Sequence, residues 1–440
     1  MRTSMIGKMK DTLGGGLETA TRQGASAAKI EFEQEERVGC TFESGRLKSA
    51  ETVQGSHYTV TVLAGGKKGE ATGTAAGDLD EMIGRAVSLA AAGSAAHFDA
   101  WPAPGKITPV ETWSPATAAL PREKLIDGCQ EIADALKAYD PELFIEAYGT
   151  RIEAERLLLT TGGVCHESTS TQWQLGSWAQ RTEGTDMLFA GFGRRWGELG
   201  DLFDPPTYAA RIVEDLRNGE TVADAPTGAT TALLAPEVLA MLLQAIALGV
   251  SGRNVAKGES PLRGRIGEKV LHEAVTIVDD PHIPYSHGSA EIDADGVPTR
   301  RVEVFADGVL NGFLYDLDSA GLARAEPTGN DACRPHFDHV LPGARPHEEL
   351  LAGIDDGIYV KYLMGFGQGN LINGDFSCNV AIGYRVSNGR IVGRVKNAMA
   401  AGNVYELLAA DVELSSDDEP SLRLPWALVG GLNVAAARGQ

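Results

Sequence analysis

Tyr384-Arg385-Val386-Ser387-Asn388-Gly389-Arg390-Ile391-Val392 is the stretch from which the fold class is read. Two β-prone runs flank Ser387-Asn388-Gly389. Asn-Gly between such runs signals a tight hairpin, because both residues tolerate the positive φ that the turn needs. Toward the N-terminus the signature returns: Val302 and Val304 alternate with polar residues, Asp307-Gly308 turns, and Leu310 to Tyr315 runs back. Hairpins join antiparallel strands, so the final third is predicted to be mostly antiparallel sheet.

Before these hairpins lies an apolar run, Ala232 to Val250, which contains Pro236, Glu237 and Gln244. Proline suits the first turn of a helix, so a helix of about 14 residues is expected from Pro236. A membrane span needs about 20, and a buried core helix is the expectation. Further upstream, Lys29-Ile30-Glu31-Phe32-Glu33 alternates and Val38, Cys40 and Phe42 keep the period, as in a half-buried strand. Glu43-Ser44-Gly45-Arg46 reads as a turn, and Tyr58 to Leu63 as another strand. Asp78 caps a helix whose Leu79, Met82, Ile83, Ala86, Val87 and Ala90 share one face. Helices are also expected over residues 8–23, from near Pro121, and over 206–217. Strands are expected near 143–148 and 154–160.

The fold class is therefore α+β. The N-terminal part is expected to form α/β layers of mixed sheet and helices, and the C-terminal half a mainly antiparallel sheet around a cleft. The expected divisions are 1–105 for an N-terminal α+β domain, 106–228 for a middle α+β segment packed with it, and 229–440 for a β-rich C-terminal domain.

The 440 residues carry 60 acidic and 39 basic side chains, a formal net charge of -21. Nucleic-acid affinity comes largely from Lys and Arg displacing counterions, and no run of five or more Lys/Arg occurs. Nucleic acid is excluded as an expected direct ligand. The five cysteines, Cys40, Cys129, Cys165, Cys333 and Cys378, are scattered and never in CxxC spacing. That suits a reducing compartment. Gly14-Gly15-Gly16 stands where a signal peptide would be apolar. The expected location is the cytoplasm.

No complete catalytic motif is present. A thermolysin-like zinc site needs two His one helical turn apart with a Glu as general base. His272-Glu273 is followed by Thr276 and Ile277, and His166-Glu167 by Ser170 and Thr171. Cys333, His336 and His339 form a C-x2-H-x2-H cluster, and three such ligands with an open water position would make a catalytic zinc site. Gly365-Phe366-Gly367-Gln368-Gly369 lacks the Lys-Ser/Thr of a phosphate loop and reads as a flexible loop. No G-x-S-x-G elbow occurs. Asp279-Asp280 and Asp293/Asp295 offer carboxylate pairs for a hard cation, although acidic turn residues have the same pattern.

An ordered series of phrases carries a resemblance. Thr41-Phe42-Glu43-Ser44-Gly45-Arg46-Leu47 and Gly69-Glu70-Ala71-Thr72-Gly73 come first. Gly258-Glu259-Ser260-Pro261-Leu262, Ile277-Val278-Asp279-Asp280-Pro281 and Asp293-Ala294-Asp295-Gly296-Val297-Pro298-Thr299 come next. Thr328-Gly329-Asn330, Gly374-Asp375-Phe376-Ser377 and Ala401-Gly402-Asn403 complete it. Together these resemble the TldD/PmbA family, historically labelled modulators of DNA gyrase. The resemblance implies a two-subunit peptidase. Its TldD subunit carries HExxxH on a helix and holds the zinc, while its TldE/PmbA subunit has the same fold without the motif. The pair is associated with trimming unfolded peptides, including bacteriocin precursors and antitoxins.

The matching helix here is Pro236-Glu237-Val238-Leu239-Ala240-Met241-Leu242-Leu243, which has no His and Glu237 as its only carboxylate. The chain thus resembles the TldE/PmbA type. This type of resemblance implies a subunit not catalytic alone, with no cofactor of its own and zinc in a TldD-type partner. The expected partners are that subunit, or a second copy of this chain, and unfolded peptides, with no membrane. Motif positions proposed for a peptide cleft are Asp279, Asp280, Asp293, Gly296, Thr328, Gly329, Gly374, Asp375, Phe376, Gly402 and Asn403. Two alternatives stand beside this reading. One is a stand-alone metallopeptidase using Cys333, His336 and His339. The other is an enzymatically inert homodimer that binds peptides or a small ligand.

Overall fold

A computed structural model of the protein describes residues 5–74, 78–336 and 338–436. Its first half runs α1 (Met5–Arg22), β1 (Ala27–Glu43), β2 (Arg46–Ala64), β3 (Lys67–Thr74), α2 (Leu79–Ala90), α3 (Pro115–Ala118), α4 (Arg122–Tyr139), β4 (Phe144–Thr160), β5 (Cys165–Glu183), β6 (Asp186–Trp196) and α5 (Pro205–Asn218). The strands form one sheet in the order β3-β2-β1-β4-β5-β6. Every neighbouring pair is antiparallel. The mixed sheet expected in this half is thus corrected in detail: its parallel pairs lie in the other half.

Strand periodicity explains the layers. On β1, Ile30 and Phe32 pack with α1 and α2, and Val38, Cys40 and Phe42 on the same face pack with α4. Glu31 and Glu33 point the opposite way. Asp78 caps α2 by accepting from the amides of Asp80 and Glu81, at 2.9 and 3.4 Å. The strands expected near 143–148 and 154–160 are one strand, β4. Its polar middle breaks the sequence alternation, yet it pairs continuously with β5 across Gly149 to Glu153. Strands β5 and β6 were not anticipated. The first half of β5, Cys165 to Ser170, is polar and mostly exposed, so no apolar period marks it.

The second half runs β7 (Val222–Ala223), β8 (Gly228–Leu234), α6 (Pro236–Val250), α7 (Gly252–Lys257), β9 (Ile277–Asp279), β10 (Val302–Ala306), β11 (Val309–Leu310), α8 (Leu317–Ala323), β12 (Asp338–Val340), α9 (His347–Ala352), β13 (Asp356–Met364), β14 (Asp375–Ser387), β15 (Arg390–Val395), β16 (Ala398–Asn403), α10 (Val404–Ala409), β17 (Val412–Glu419) and β18 (Leu424–Ala436). Its large sheet has the order β13-β8-β18-β16-β14-β15-β7, with β17 beside β18. It is antiparallel except for β13–β8 and β15–β7. β13 also pairs with β14, so β13, β8, β18, β16 and β14 form a closed ring.

The hairpin predicted over 384–392 is present. Asn388 and Gly389 have φ of 51° and 72°, and Ser387 pairs with Arg390. The hairpin predicted over 302–315 is shorter than expected, since only Val309 and Leu310 return as strand. Helix α6 buries Val238, Leu239, Leu242, Leu243 and Ile246 in the core of the ring. Among the described residues no helix is long and apolar enough to cross a membrane.

Candidate functional site: a charged cavity between the two halves

Where the first-half sheet meets the ring, a cavity of about 190 Å³ opens. The first half contributes Trp178 of β5, Gly191 and Phe192 of β6, and Arg211 and Asp215 of α5. The second half contributes Glu237 of α6, Tyr359, Lys361 and Tyr362 of β13, Glu419 of β17 and Trp426 of β18.

Local sequence places these groups. Asp215 lies on the buried face of α5 with Tyr208, Ile212 and Leu216. Lys361 interrupts the apolar run of β13. They meet across the junction: Lys361 Nζ donates to both carboxylate oxygens of Asp215 at 2.7 Å. The Tyr384 hydroxyl donates to the Asp215 carbonyl at 3.1 Å. Burial would lower the Lys361 pKa, but Asp215 more than offsets it and the ammonium is held charged.

A second knot crosses the same junction. Arg194 grips Glu419 through Nε at 2.5 Å and Nη2 at 3.2 Å, and Arg211 Nη1 reaches the same carboxylate at 2.7 Å. The Arg211 guanidinium lies 4.5 Å over the Phe192 ring, a cation–π placement. Trp426 Nε1 donates to the Tyr359 hydroxyl at 3.0 Å. Trp178 and Tyr362 meet edge to face, with centroids 5.8 Å apart.

Glu237 sits in the first turn of α6 and faces the cavity. Burial raises its pKa, partly opposed by its own backbone amide and by the Lys361 charge. This is the helix on which the resemblance sets a zinc motif. The donor set does not fit that ion. Zinc takes three or four free N, S or O donors, whereas Asp215 and Glu419 are engaged by cations and the Lys361 ammonium shares the space. Among the described residues no group of three or more His, Cys, Asp or Glu could hold a metal ion.

The proposed motif positions lie elsewhere, in two clusters. In the first, buried Asp279 accepts from Asn330 Nδ2 at 2.6 Å and from the His336 amide at 2.7 Å. Thr328 donates to Asn330 Oδ1 at 2.6 Å. Asp280 accepts from the His282 amide. Asp293 Oδ1 accepts from the amides of Asp295 and Val297, both at 2.9 Å, while Oδ2 is buried without a partner. Burial, then the charges of Asp295 and Asp331, push the Asp293 pKa up to about 7. In the second cluster, Asn403 caps α10 and donates to Asp375 at 2.9 Å, and buried Phe376 packs near Gly402. Gly296, Gly329 and Gly374 take left-handed turn conformations. None of these residues lines the charged cavity.

The cluster Cys333, His336 and His339 does not converge. Buried Cys333 meets Ser319 Oγ at 3.0 Å and the Asp316 amide at 3.4 Å. His336 pairs with Asp279 at 3.2 Å. His339 sits in β12 opposite Val278, with Arg423 and Asp418 as charged neighbours. The metal site expected from their spacing is therefore not formed among the described residues, because the three side chains are turned to different partners.

A wider cleft, about 770 Å³, lies on the opposite face of β1. Its carboxylates are Glu31, Glu33, Glu111, Glu167, Glu291 and Asp331. Arg156 pairs with Glu31 and His166 with Glu291. Ala294, in the turn at Asp293 to Val297, lines one side. There Lys29 donates to the Ala294 carbonyl at 2.7 Å and to Asp295 at 2.9 Å. These two spaces lie at the junction of the halves, whereas a third, of about 630 Å³, lies within the second half beside β7, β8 and the β14–β15 hairpin. The closed ring leaves its five strands no free edge.

Sequence reasoning singled out Glu237 but missed Asp215, Lys361, Arg194, Arg211 and Glu419. The available signal was a charge in an apolar frame, Asp215 on the buried stripe of α5 and Lys361 within Ile358 to Leu363.

Residues 227–436 match the family model described as the PmbA/TldA metallopeptidase C-terminal domain. A metalloprotease TldD homolog of Haemophilus influenzae is 30% identical over 210 residues, 46% of this chain and 43% of that protein. The matched stretch spans about half the length of the curated relatives it matches. Among solved structures, a modulator of DNA gyrase from Thermotoga maritima superposes with TM-score 0.88 at 25% identity, covering 97% of this chain and 100% of that one. TldE from Thermococcus kodakarensis shares the fold, with TM-score 0.88 at 21% identity over 96% of this chain and 100% of its own. With the ordered motifs and the architecture in agreement, residues 227–436 belong to the C-terminal domain of the TldD/PmbA family, and the whole chain shares the fold of the modulator of DNA gyrase.

Proposed function

We propose that the chain is a non-catalytic, TldE/PmbA-type subunit of a TldD/TldE-type metallopeptidase that processes unfolded peptides. A TldD-type partner supplies the zinc and the hydrolysis. The observation that carries the reading is α6. Where the resemblance sets HExxxH, this helix turns Val238, Leu239, Leu242 and Leu243 into the core and offers the cavity Glu237 alone, beside an ammonium. The wide acidic cleft between the halves supports a peptide-handling role, since it leaves room for an extended chain. The cytoplasm is the proposed location, where the free cysteines stay reduced.

The test is reconstitution. The purified chain alone is expected to bind no stoichiometric zinc and to leave an unfolded peptide intact. Mixed with a TldD-type subunit, it should support cleavage well above that of the partner alone. Equal activity with and without this chain would end the subunit reading.

A further inference from the structure

The ion pairs around the charged cavity account for only part of its lining. Asp215 and Glu419 are saturated by Lys361, Arg194 and Arg211, which clamp the halves together. Three capacities remain. The Glu237 carboxylate takes its own backbone amide and no other donor among the described residues. Arg211 commits only Nη1 to a hydrogen bond, leaving its other guanidinium hydrogens unused. Lys361 spends two of its ammonium hydrogens on Asp215 and has one more. All three side chains line the same space.

Charge balance narrows what can enter. Arg194, Arg211 and Lys361 oppose Asp215, Glu419 and Glu237, so the set is neutral once an incoming cationic group holds Glu237 ionised against the effect of burial. An ion of either sign would leave the set with an uncompensated charge in a partly enclosed site, which is unfavourable. An uncharged apolar solute would strand the unused donors and the Glu237 acceptor. A molecule with one ammonium and one carboxylate group satisfies both constraints. Volume narrows it further. Some 190 Å³ equals about six waters at ~30 Å³ each, which suits a small solute rather than a run of peptide. The walls beside the charges are aromatic, from Trp178, Tyr359, Tyr362 and Trp426, and suit an apolar side chain.

We propose that this cavity binds a small zwitterion of the free α-amino-acid class. Glu237 takes its ammonium group, Arg211 and Lys361 its carboxylate, and the rings of Trp178 and Tyr362 its side chain. The assignment concerns this chain alone and does not rest on a partner subunit.

Calorimetric titration of the full chain with L-leucine, L-leucinamide and N-acetyl-L-leucine tests it. Leucine is expected to saturate a single site. Each capped analogue lacks one charge and should bind weaker by about tenfold or more, the cost of losing a hydrogen bond between charged groups. Glu237→Gln, checked for its fold by circular dichroism, should weaken leucine binding comparably. If that variant misfolds, the analogue series on the unaltered chain decides. No heat with leucine at millimolar concentrations would overturn the proposal, leaving a cavity that holds water only. So would leucinamide binding as tightly as leucine, which marks a site for peptide N-termini, or N-acetyl-leucine doing so, which marks one for C-termini.

Discussion

Lys361 and Asp215 are each an unfavourable residue to bury, and together they are tolerable. Removing one partner strands the other. Asp215→Asn is expected to destabilise the protein by roughly 2–3 kcal/mol, less than the ~3–5 kcal/mol of a fully buried pair, because the Lys361 side chain keeps 26% exposure. The double variant Asp215→Leu with Lys361→Met should cost less than either single change, since no charge is left behind. Urea unfolding of the three variants checks the ordering.

Asp293 gives the molecule a pH dependence of definite sign. Its folded pKa, about 7, stands above its unfolded value of about 4. Below both values the carboxyl is protonated in either state and its contribution to stability is fully present. As pH rises from about 4 to about 7, the unfolded chain ionises first and stability falls, most of the loss lying between about pH 5 and about pH 7, with its last part tailing to about pH 8. Beyond that the loss is complete. It is at most about 4 kcal/mol, at about 1.4 kcal/mol per pKa unit. His336, whose pKa Asp279 raises against the effect of burial, adds a slope of the same sign. Asp293→Asn should flatten the fall between about pH 5 and about pH 8, leaving the His336 part, as read from urea midpoints. The chemistry of Asp293 was invisible in sequence. Asp-Ala-Asp-Gly reads as an acidic turn, which it is, and nothing local tells that Oδ2 is sealed from water.

Elements were legible where one face is apolar and the period is clean. Helices α2 and α5, strand β1 and the 384–392 hairpin were all read from that signal. Strand β5 was missed because its stabilisation is long-range. The strand begins with Cys-His-Glu-Ser-Thr-Ser and is held by two neighbours rather than by an apolar stripe. One of its pairs shapes the charged cavity. Trp178 lies directly opposite Gly191 on β6, and a Cβ at Gly191 would come within 2.4 Å of the indole. The ring therefore lies across the glycine. Gly191→Ala should displace it, costing about 1–3 kcal/mol as overpacking does and shifting tryptophan fluorescence. An unshifted spectrum would mean that Trp178 has room to spare.

At the scale of the whole molecule, the halves are joined by charge as much as by apolar contact. Lys29–Asp295, Arg194–Glu419 and Lys361–Asp215 all cross between them, and β7, next in the chain after α5, is held to the second-half sheet by a short parallel pairing with β15. The segment linking β7 to β8, residues 224–227, is exposed at Asp224 and Thr227. A protease site placed there should allow cleavage without separation, the two fragments co-eluting on gel filtration. Combining the cut with Glu419→Gln should loosen them, because Arg194 and Arg211 lose their shared anion. Sequence composition could not show this seam. A net charge of -21 says nothing of where the few paired cations sit.

The ring order β13-β8-β18 fixes a schedule for biosynthesis. The first-half sheet has all six strands once residue 196 is made. Strand β8 emerges within a few dozen residues, but its two flanking strands come from residues 356–364 and 424–436. Its backbone groups and the apolar face of α6 must therefore wait through most of the second half's translation. At about 5–20 residues per second, that interval lasts on the order of ten seconds or more. During it the nascent chain exposes the apolar helix α6, while the finished first half is expected to resist protease already. Arrested chains of increasing length, probed by limited proteolysis, should show two separate steps of protection, the second only when β18 has cleared the ribosome.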